Sequence, residues 1–386
     1  MFFPSIADFV AGFVALKPVT QLGHKSEHQN STLHYITFQR SHEVSGFGNR
    51  FLMAAIRKIS ESTYIFLDIQ DNTLDDIDKV SQGRYNTPEL DLNAQPPCYG
   101  LGTLESLPLE VIHLTLIQLD MQSLMDFRRV NRRARQVTDS VPQFKHILAQ
   151  VPASVHASLS LETARYFSCQ ELYRTLCTAE CESCGDFGGY LYLLTCRRVC
   201  FLCFTEKADY LPLSRKDVVR KFGLGSAHIA LLPRMRSLPG CYSPREIKCR
   251  RRETLFDHFA ARQAGITLHG SSDEMERYTS ATVLQRREAY SSRFSLRRSA
   301  TRRLRPPRSE DPFDGYSSNP RRFMGIIRAP FLYGQKLSPE WGFHCLACKS
   351  HHYCRPLHWR RLYTCESFQS HISECGTIRG GKHVGR

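Results

Sequence analysis

A mainly α-helical chain with small metal-stabilised modules is the fold this sequence predicts, on three observations. Apolar residues recur at helical spacing between 104 and 148. Cysteines and histidines crowd into two short segments, 181–203 and 345–375. A stretch rich in arginine, serine and proline lies between them, with too few large apolar residues to offset chain entropy. The chain divides accordingly. Residues 1–100 form a poorly defined N-terminal region, compatible with disorder, and 101–150 form a compact helical module. Residues 158–224 form a helical, four-cysteine module. Residues 225–340 are a basic, largely disordered linker, and 341–380 a C-terminal Cys/His module.

Bulk properties narrow the classes of partner. The formal charge of +15 predicts attraction to acidic partners, whether nucleic acid, anionic lipid or acidic protein. The opening "MFFPSIADFVAGFVALKP" is a poor secretory signal. No Lys or Arg precedes its apolar run, and Asp8 interrupts it. No stretch reaches the ~18 uninterrupted apolar residues of a membrane span. The expectation is an intracellular chain, in cytoplasm or nucleus, whose 15 cysteines are thiols or metal ligands rather than a disulfide framework.

Residues 1–100 carry little signal beyond "FLMAAIRKISESTYIFLDIQ", which reads as helix then strand, and the turn-rich "GRYNTPELDLNAQPP". Three helices follow. "LPLEVIHLTLIQLD" opens with Pro108 at a first helical position and Glu110 in the first turn. Val111, Ile112, Leu116 and Leu119 share one face. In "SLMDFRRVNRRARQV", Ser123 with Asp126 reads as a capping box. Leu124, Phe127, Val130, Ala134 and Val137 recur on one face, and five arginines lie mostly off it. "VPQFKHILAQV" is the third helix. Further on, "LETARYFSCQELYRTLCTAE" is compatible with a helix, "YLYLL" with a strand, and "SRKDVVRKFGL" with a short helix ending at Gly223.

Cys181-x2-Cys184 is followed by fifteen residues and then Cys200-x2-Cys203. Each CxxC turn aims two thiolates at one point, and two such turns complete a tetrahedron around zinc. Cys196 reads as a buried apolar residue, although it is a rival to Cys200 as ligand. With two CxxC pairs and no βαβ context, a thioredoxin-type redox pair is not expected. The C-terminal segment offers Cys345, Cys348, His371 and Cys375. The last two are four apart and share a helical face. His344, His351, His352, Cys354, His358 and Cys365 are rival ligands. Two structural zinc ions are expected, because both sets are closed, with four protein ligands and no position for water. Such binding is worth on the order of 10–16 kcal/mol in zinc-finger peptides, against ~5–15 kcal/mol for a whole domain. The metal would therefore decide whether these segments fold. No GxSxG, P-loop or HExxH motif occurs, so the expectation is a protein without catalytic residues.

From Arg286 to Arg308 there are nine arginines and one acid, Glu288. Such a run attracts polyanions, yet little aromatic interleaving offers a stacking platform. "KCRRR" from Lys248 to Arg252 is compatible with part of a nuclear-import signal.

The segment "LESLPLEVIHLTLIQLDMQSLMDFRRVNRRARQV" resembles the F-box, the three-helix module that docks on the Skp adaptor of cullin–RING ubiquitin ligases. The likeness is carried by Leu107-Pro108, Glu110, Val111-Ile112, Leu116, Leu119-Asp120, Leu124 and Val130. Thr115 stands where the family prefers Ile or another aliphatic, and Ala134 where many members have Trp. The arginine-rich "FRRVNRRAR" and the cysteine segments together resemble a group of fungal F-box proteins with zinc knuckles, over 98–224 and 341–378. The resemblance implies a substrate receptor of an SCF-type ligase with a Skp-type adaptor and a cullin complex as partners. The target is unknown and no membrane is involved. By the family's pattern Leu107, Pro108, Val111, Ile112 and Leu119 would contact the adaptor, while Leu124, Phe127 and Val130 hold the helices together. The alternatives are a zinc-dependent nucleic-acid-binding protein using the arginine-rich segment, and an F-box protein acting outside any ligase.

Overall fold

The computed structural model describes residues 63–64, 71–74, 99–296, 319–333, 338–349 and 357–384. All of them lie in one unit, 53–386. Most of the region 1–100, and the arginines from 297 to 308, fall outside the described residues.

Strand β1 (Thr63–Tyr64) precedes the helical module. That module holds α1 (Leu109–Gln118), α2 (Met121–Arg128), α3 (Arg132–Ser140), α4 (Pro142–Gln150), α5 (Pro152–Ser160) and α6 (Cys169–Leu176). The segment "SLMDFRRVNRRARQV" therefore forms two helices where its periodicity predicts one. The start of each is a local capping event. Asp120 accepts from the Ser123 amide at 2.9 Å, so Asp120 caps α2 and Ser123 lies inside it. Asn131 accepts from the Ala134 amide at 2.7 Å and starts α3. Its cap breaks the helix between Arg128 and Arg132, and Val130 is left 65% exposed instead of packed between helices. Arg128 then grips Asp139 with two bonds, 2.6 and 3.0 Å, and ties α2 to α3. Ser168 and Glu171 form a reciprocal capping box at the head of α6.

The chain next forms the hairpin β2 (Tyr190–Tyr192) and β3 (Arg197–Val199), with α7 (Phe201–Glu206) behind it. Tyr190 pairs with Val199 on one side and with Arg328 of β9 (Ile326–Arg328) on the other, giving the order β3-β2-β9. Tyr190, Leu191, Tyr192 and Val199 are buried in one core with Leu116, Leu124 and Phe144 of the helical module. Arg198 is buried too. Its guanidinium donates to the carbonyls of Thr175, Gly188, Leu176, Ala329 and Pro330, so one side chain ties α6, the knuckle and the chain after β9 together.

A second core spans the end of the expected four-cysteine module and the start of the region expected to be linker. Strand β4 (Leu213–Ser214) leads into α8 (Arg215–Phe222), and α9 (Ser226–Ala230) follows. Next come β5 (Arg234–Arg236), the hairpin β6 (Gly240–Tyr242) and β7 (Ile247–Cys249), and β8 (Thr254–Phe256). The order β4-β8-β5 makes one antiparallel sheet. Helix α8 packs on the sheet, and α10 (His258–His269) and α11 (Ser272–Leu296) pack on α8 and on each other, with Phe222, Ala261 and Met275 buried among the three. The disordered-linker expectation is thus corrected for 226–296. Composition hid the fold because α11 carries its charges outward, while Met275 seats over Phe222 and the Cβ-less Gly265. As the spacing predicts, α8 ends at Gly223, which adopts φ +66° against His269 and Tyr278.

The remaining strands are β10 (Phe331–Tyr333) paired with β11 (Ser338–Glu340), β12 (His344–Cys345) paired with β1, and the hairpin β13 (Thr377–Arg379) with β14 (Lys382–Val384). With α12 (Leu346–Lys349) and α13 (Cys365–Cys375) they form the C-terminal module around Phe368 and Tyr363. Two contacts fasten it to the knuckle. Arg361 pairs with Asp186. Arg360, stacked 3.8 Å over the Phe201 ring, pairs with buried Asp71, which also accepts from the Tyr190 hydroxyl at 2.6 Å. Among the described residues no helix is long and apolar enough to cross a membrane.

Candidate functional site

Three features can do chemistry or binding: an apolar face on α1 and two Cys/His clusters. The face comes first. Ile112, Leu116 and Ile117 point into the core, and the opposite side of the helix is apolar as well. Leu107, Leu109 and Val111 are 43–44% exposed and Leu114 is 62% exposed. A self-contained bundle would bury such residues, and a row of them marks an interaction surface. Pro108 is exposed beside them. Two expected contact residues are placed otherwise. Ile112 is 7% exposed and belongs to the core, since it shares a face with Leu116. Leu119 is half-buried against the same core. Leu114 joins Val111 on the outer face, and Leu109, in the first turn of α1, is exposed next to Leu107 and Pro108. Thr115 is also exposed, with its hydroxyl donating to the Val111 carbonyl at 2.9 Å. Ala134 is fully buried.

In the first cluster, Cys181, Cys184, Cys200 and Cys203 bring their sulfurs within 4.8 Å of one another. The first CxxC sits in a tight turn. The Cys184 and Gly185 amides both donate to the Cys181 carbonyl, and Gly185 takes φ +78°. The second CxxC opens α7, with Cys200 at its N-cap. Cys184 Sγ and Cys200 Sγ are 3.6 Å apart. A zinc tetrahedron with bonds of about 2.3 Å has S···S edges of about 3.8 Å, so the donor set fits an ion of that size. The electrostatics agree. Hydrogen bonding from Cys200 and Cys203 holds the Cys181 thiol well below the usual range. The thiolate at Cys181 then pushes Cys200 far up, and Cys203 up to about 12. Four thiolates in this space need a cation to be ionised together. Cys196 is not of the group. It occupies the β2–β3 turn with its sulfur 3.8 Å from the Thr175 hydroxyl, and burial raises it to about 12.

The second cluster corrects one expected ligand. The structure gathers Cys345, Cys348, His371 and His383. Cys375, at the last position of α13, is not of the group. His383 lies on β14, which the Gly380-Gly381 turn folds back beside α12. Both glycines take positive φ, as a two-residue hairpin turn requires. "GTIRGGKHV" was the sequence signal for this hairpin. His383 Nε2 is 3.5 Å from both Cys345 Sγ and Cys348 Sγ, and His371 Nε2 is 3.5 Å from Cys348 Sγ. The S···N edge of a zinc site is about 3.6 Å from its bond lengths. His383 Nδ1 faces the Gly376 carbonyl at 2.8 Å, which leaves Nε2 for a metal. The Tyr363 hydroxyl does the same at 3.2 Å from His371 Nδ1. The Cys348 hydrogen bond brings the Cys345 thiol down to about 4, and Cys348 rises in turn. Among the rivals, His344 Nδ1 faces the Arg361 carbonyl at 3.0 Å, and Cys365 is exposed at the head of α13. His358 lies in a short helical turn outside the group, and His351, His352 and Cys354 fall outside the described residues.

These features define a protein with a helical module that exposes an apolar face, followed by two Cys/His clusters able to hold metal ions. Comparison with protein families matches residues 104–160 to the F-box domain, so the chain carries an F-box. The match runs past the expected helical module to the end of α5. Neither the curated proteins nor the solved structures yield a match to this chain.

Proposed function

We propose that the chain is a non-catalytic substrate receptor of an SCF-type ubiquitin ligase. It docks on a Skp-type adaptor through Leu107, Pro108, Leu109, Val111 and Leu114, and the ligase's transfer chemistry lies on other subunits. The exposed apolar face of α1 carries this reading. The F-box gives the docking module, and its inward face is already satisfied by Leu116 and Ile117. Both Cys/His clusters hold structural zinc, which fixes the modules downstream of the F-box.

Capture of the full chain by purified Skp adaptor tests the docking. Leu109, Val111 and Leu114 are each about half exposed. Completing their burial is worth about 1 kcal/mol apiece, so changing all three to serine weakens capture by about two orders of magnitude. Unchanged capture by the triple variant would refute the docking face. Co-purification of the adaptor without a cullin would point to an F-box protein working outside a ligase.

A further inference from the structure

Three cavities follow one another from the second core to the end of the helical module, each sharing one lining residue with the next. The first, of about 820 Å³, lies among α8, α10 and α11. It shares Arg220 with a second of about 450 Å³, which shares Thr254 with a third of about 290 Å³ between β5 and the turn after α5. Among the described residues, eight lysines and arginines and five acids line the three cavities, and three of the acids are taken up by arginines, leaving Asp209 and Glu276 in the first cavity. Asp217 holds Arg321 at 3.0 Å and Arg220 at 3.6 Å, Glu253 holds Arg321 at 3.1 Å, and Glu162 holds Arg236 at 3.5 Å. Arg165, Lys216, Arg234 and Arg262 line the cavities with no acidic partner among the described residues. The first cavity also has an apolar wall of Phe222, Met275, Val283 and Leu284.

We propose that this track is the target-binding surface, and that it takes an extended acidic peptide whose aliphatic side chains enter the first cavity. The inference rests on the receptor reading above and names the chemistry of the target. Charge complementarity selects an acidic occupant. Two observations select a peptide over a nucleic acid. A phosphodiester chain would pass Asp209 and Glu276 in the first cavity, whereas peptide N–H groups can donate to them. The track also has no stacking platform, since Phe222 is buried and Tyr166 half-buried. The volumes fall in the usual range for small-ligand sites.

Fluorescence anisotropy on the full, zinc-loaded chain tests this. The probe is a fluorescein-labelled peptide of glutamates with leucine at every third position. A second peptide with glutamine for glutamate and an oligouridine RNA serve as comparisons. Saturable binding of the acidic peptide is expected, with the glutamine peptide at least about tenfold weaker. Arg165→Glu with Arg234→Glu, and separately Lys216→Glu with Arg262→Glu, each weaken the acidic peptide about tenfold. These side chains are exposed, and unchanged zinc content reports that the variants fold. Absence of saturable binding, equal binding of the glutamine peptide, tighter binding of the RNA, or indifference to both double variants would each overturn the proposal. Adaptor capture separates the two readings. The charge-reversed chains keep it if only the track fails, and the α1 serine variant keeps peptide affinity if only the docking face fails.

Discussion

Replacing His383 with alanine removes one ligand from the C-terminal cluster and leaves its other three in place. The imidazole sits 3.5 Å from two sulfurs, and its far nitrogen is turned to a backbone carbonyl, so little rearrangement precedes binding. Four-ligand zinc sites are worth on the order of 10–16 kcal/mol, so one ligand accounts for about 3 kcal/mol, or roughly two orders of magnitude in affinity. Competition with a chromophoric chelator at neutral pH reads that affinity, and elemental analysis reads the stoichiometry. His383→Ala should fall from two zinc to one at chelator concentrations that the wild type survives. Cys375→Ser should stay at two, because Cys375 lies outside the four donors. The opposite pattern, with Cys375→Ser losing metal and His383→Ala keeping it, would refute the ligand set drawn from the β13–β14 hairpin. Near-equal losses would refute it too, since they require both residues as ligands.

Two further outcomes follow from buried charges. Arg360→Leu strands Asp71 beside Tyr190 and should cost about 3–5 kcal/mol by urea denaturation, while Asp71→Leu added to it recovers most of that loss; a loss below about 1 kcal/mol for the single variant would show the pair contributes nothing. Asp257 caps α10 through the Ala260 amide and accepts from the Tyr192 hydroxyl, and burial raises its carboxyl above the ordinary 3.8. The folded chain then holds that proton more tightly than the unfolded one. This contribution to stability is present at low pH and is lost as pH rises from about 3.8 through the folded value. Asp257→Asn, whose one amide oxygen can still accept from the Ala260 amide while its NH2 faces the Tyr192 hydroxyl as a donor, removes the titration and should flatten stability over that window, and Asp257→Ala should cost about 1–2 kcal/mol at neutral pH. A steeper pH dependence in Asp257→Asn would reverse the assignment.

What the sequence disclosed followed the range of each interaction. Cys181, Cys184, Cys200 and Cys203 were legible because a CxxC turn is local and its spacing is the whole signal. The end of α8 at Gly223 was legible for the same reason. Periodicity misread Val130, because a side chain's choice between core and solvent is tertiary. The Asn131 cap, which breaks the pattern, looked like one more polar residue. Cys375 was expected as the fourth ligand because its i,i+4 pairing with His371 on a helix is easy to see, and His383 was not among the rivals. A ligand delivered by a hairpin after the helix depends on two glycines with positive φ. The basic region hid a fold for a different reason. Low apolar content argues against a core only when the chain must build one alone. Here α11 supplies Met275 to a core whose other members come from α8, α10 and the β4-β8-β5 sheet. Asp71 and Arg360 carry no sequence signal at all.

The two Cys/His modules are not independent beads, and the reason is physical. Each is small, and charged groups of the C-terminal module find their partners outside it, one of them in the first CxxC loop. Arg360 and Arg361 belong to the C-terminal module, yet their carboxylate partners are Asp71, which also binds Tyr190 of β2, and Asp186 of the first CxxC loop. Leu362 packs against Gly189 at the foot of the β2–β3 hairpin, where a Cβ would collide with it. The hairpin in turn shares one core with the F-box helices. A buried ion pair adds little to stability over an apolar pair of the same shape, but a mispaired one costs several kcal/mol, so such pairs select one arrangement of the modules and reject others. A receptor gains from that selectivity. On the proposed reading, the apolar face of α1 and the basic track beside β5 and α8 work together only at a fixed separation, and the core that joins α1 to β2, with the Tyr192–Asp257 hydrogen bond from β2 to the head of α10, links the two.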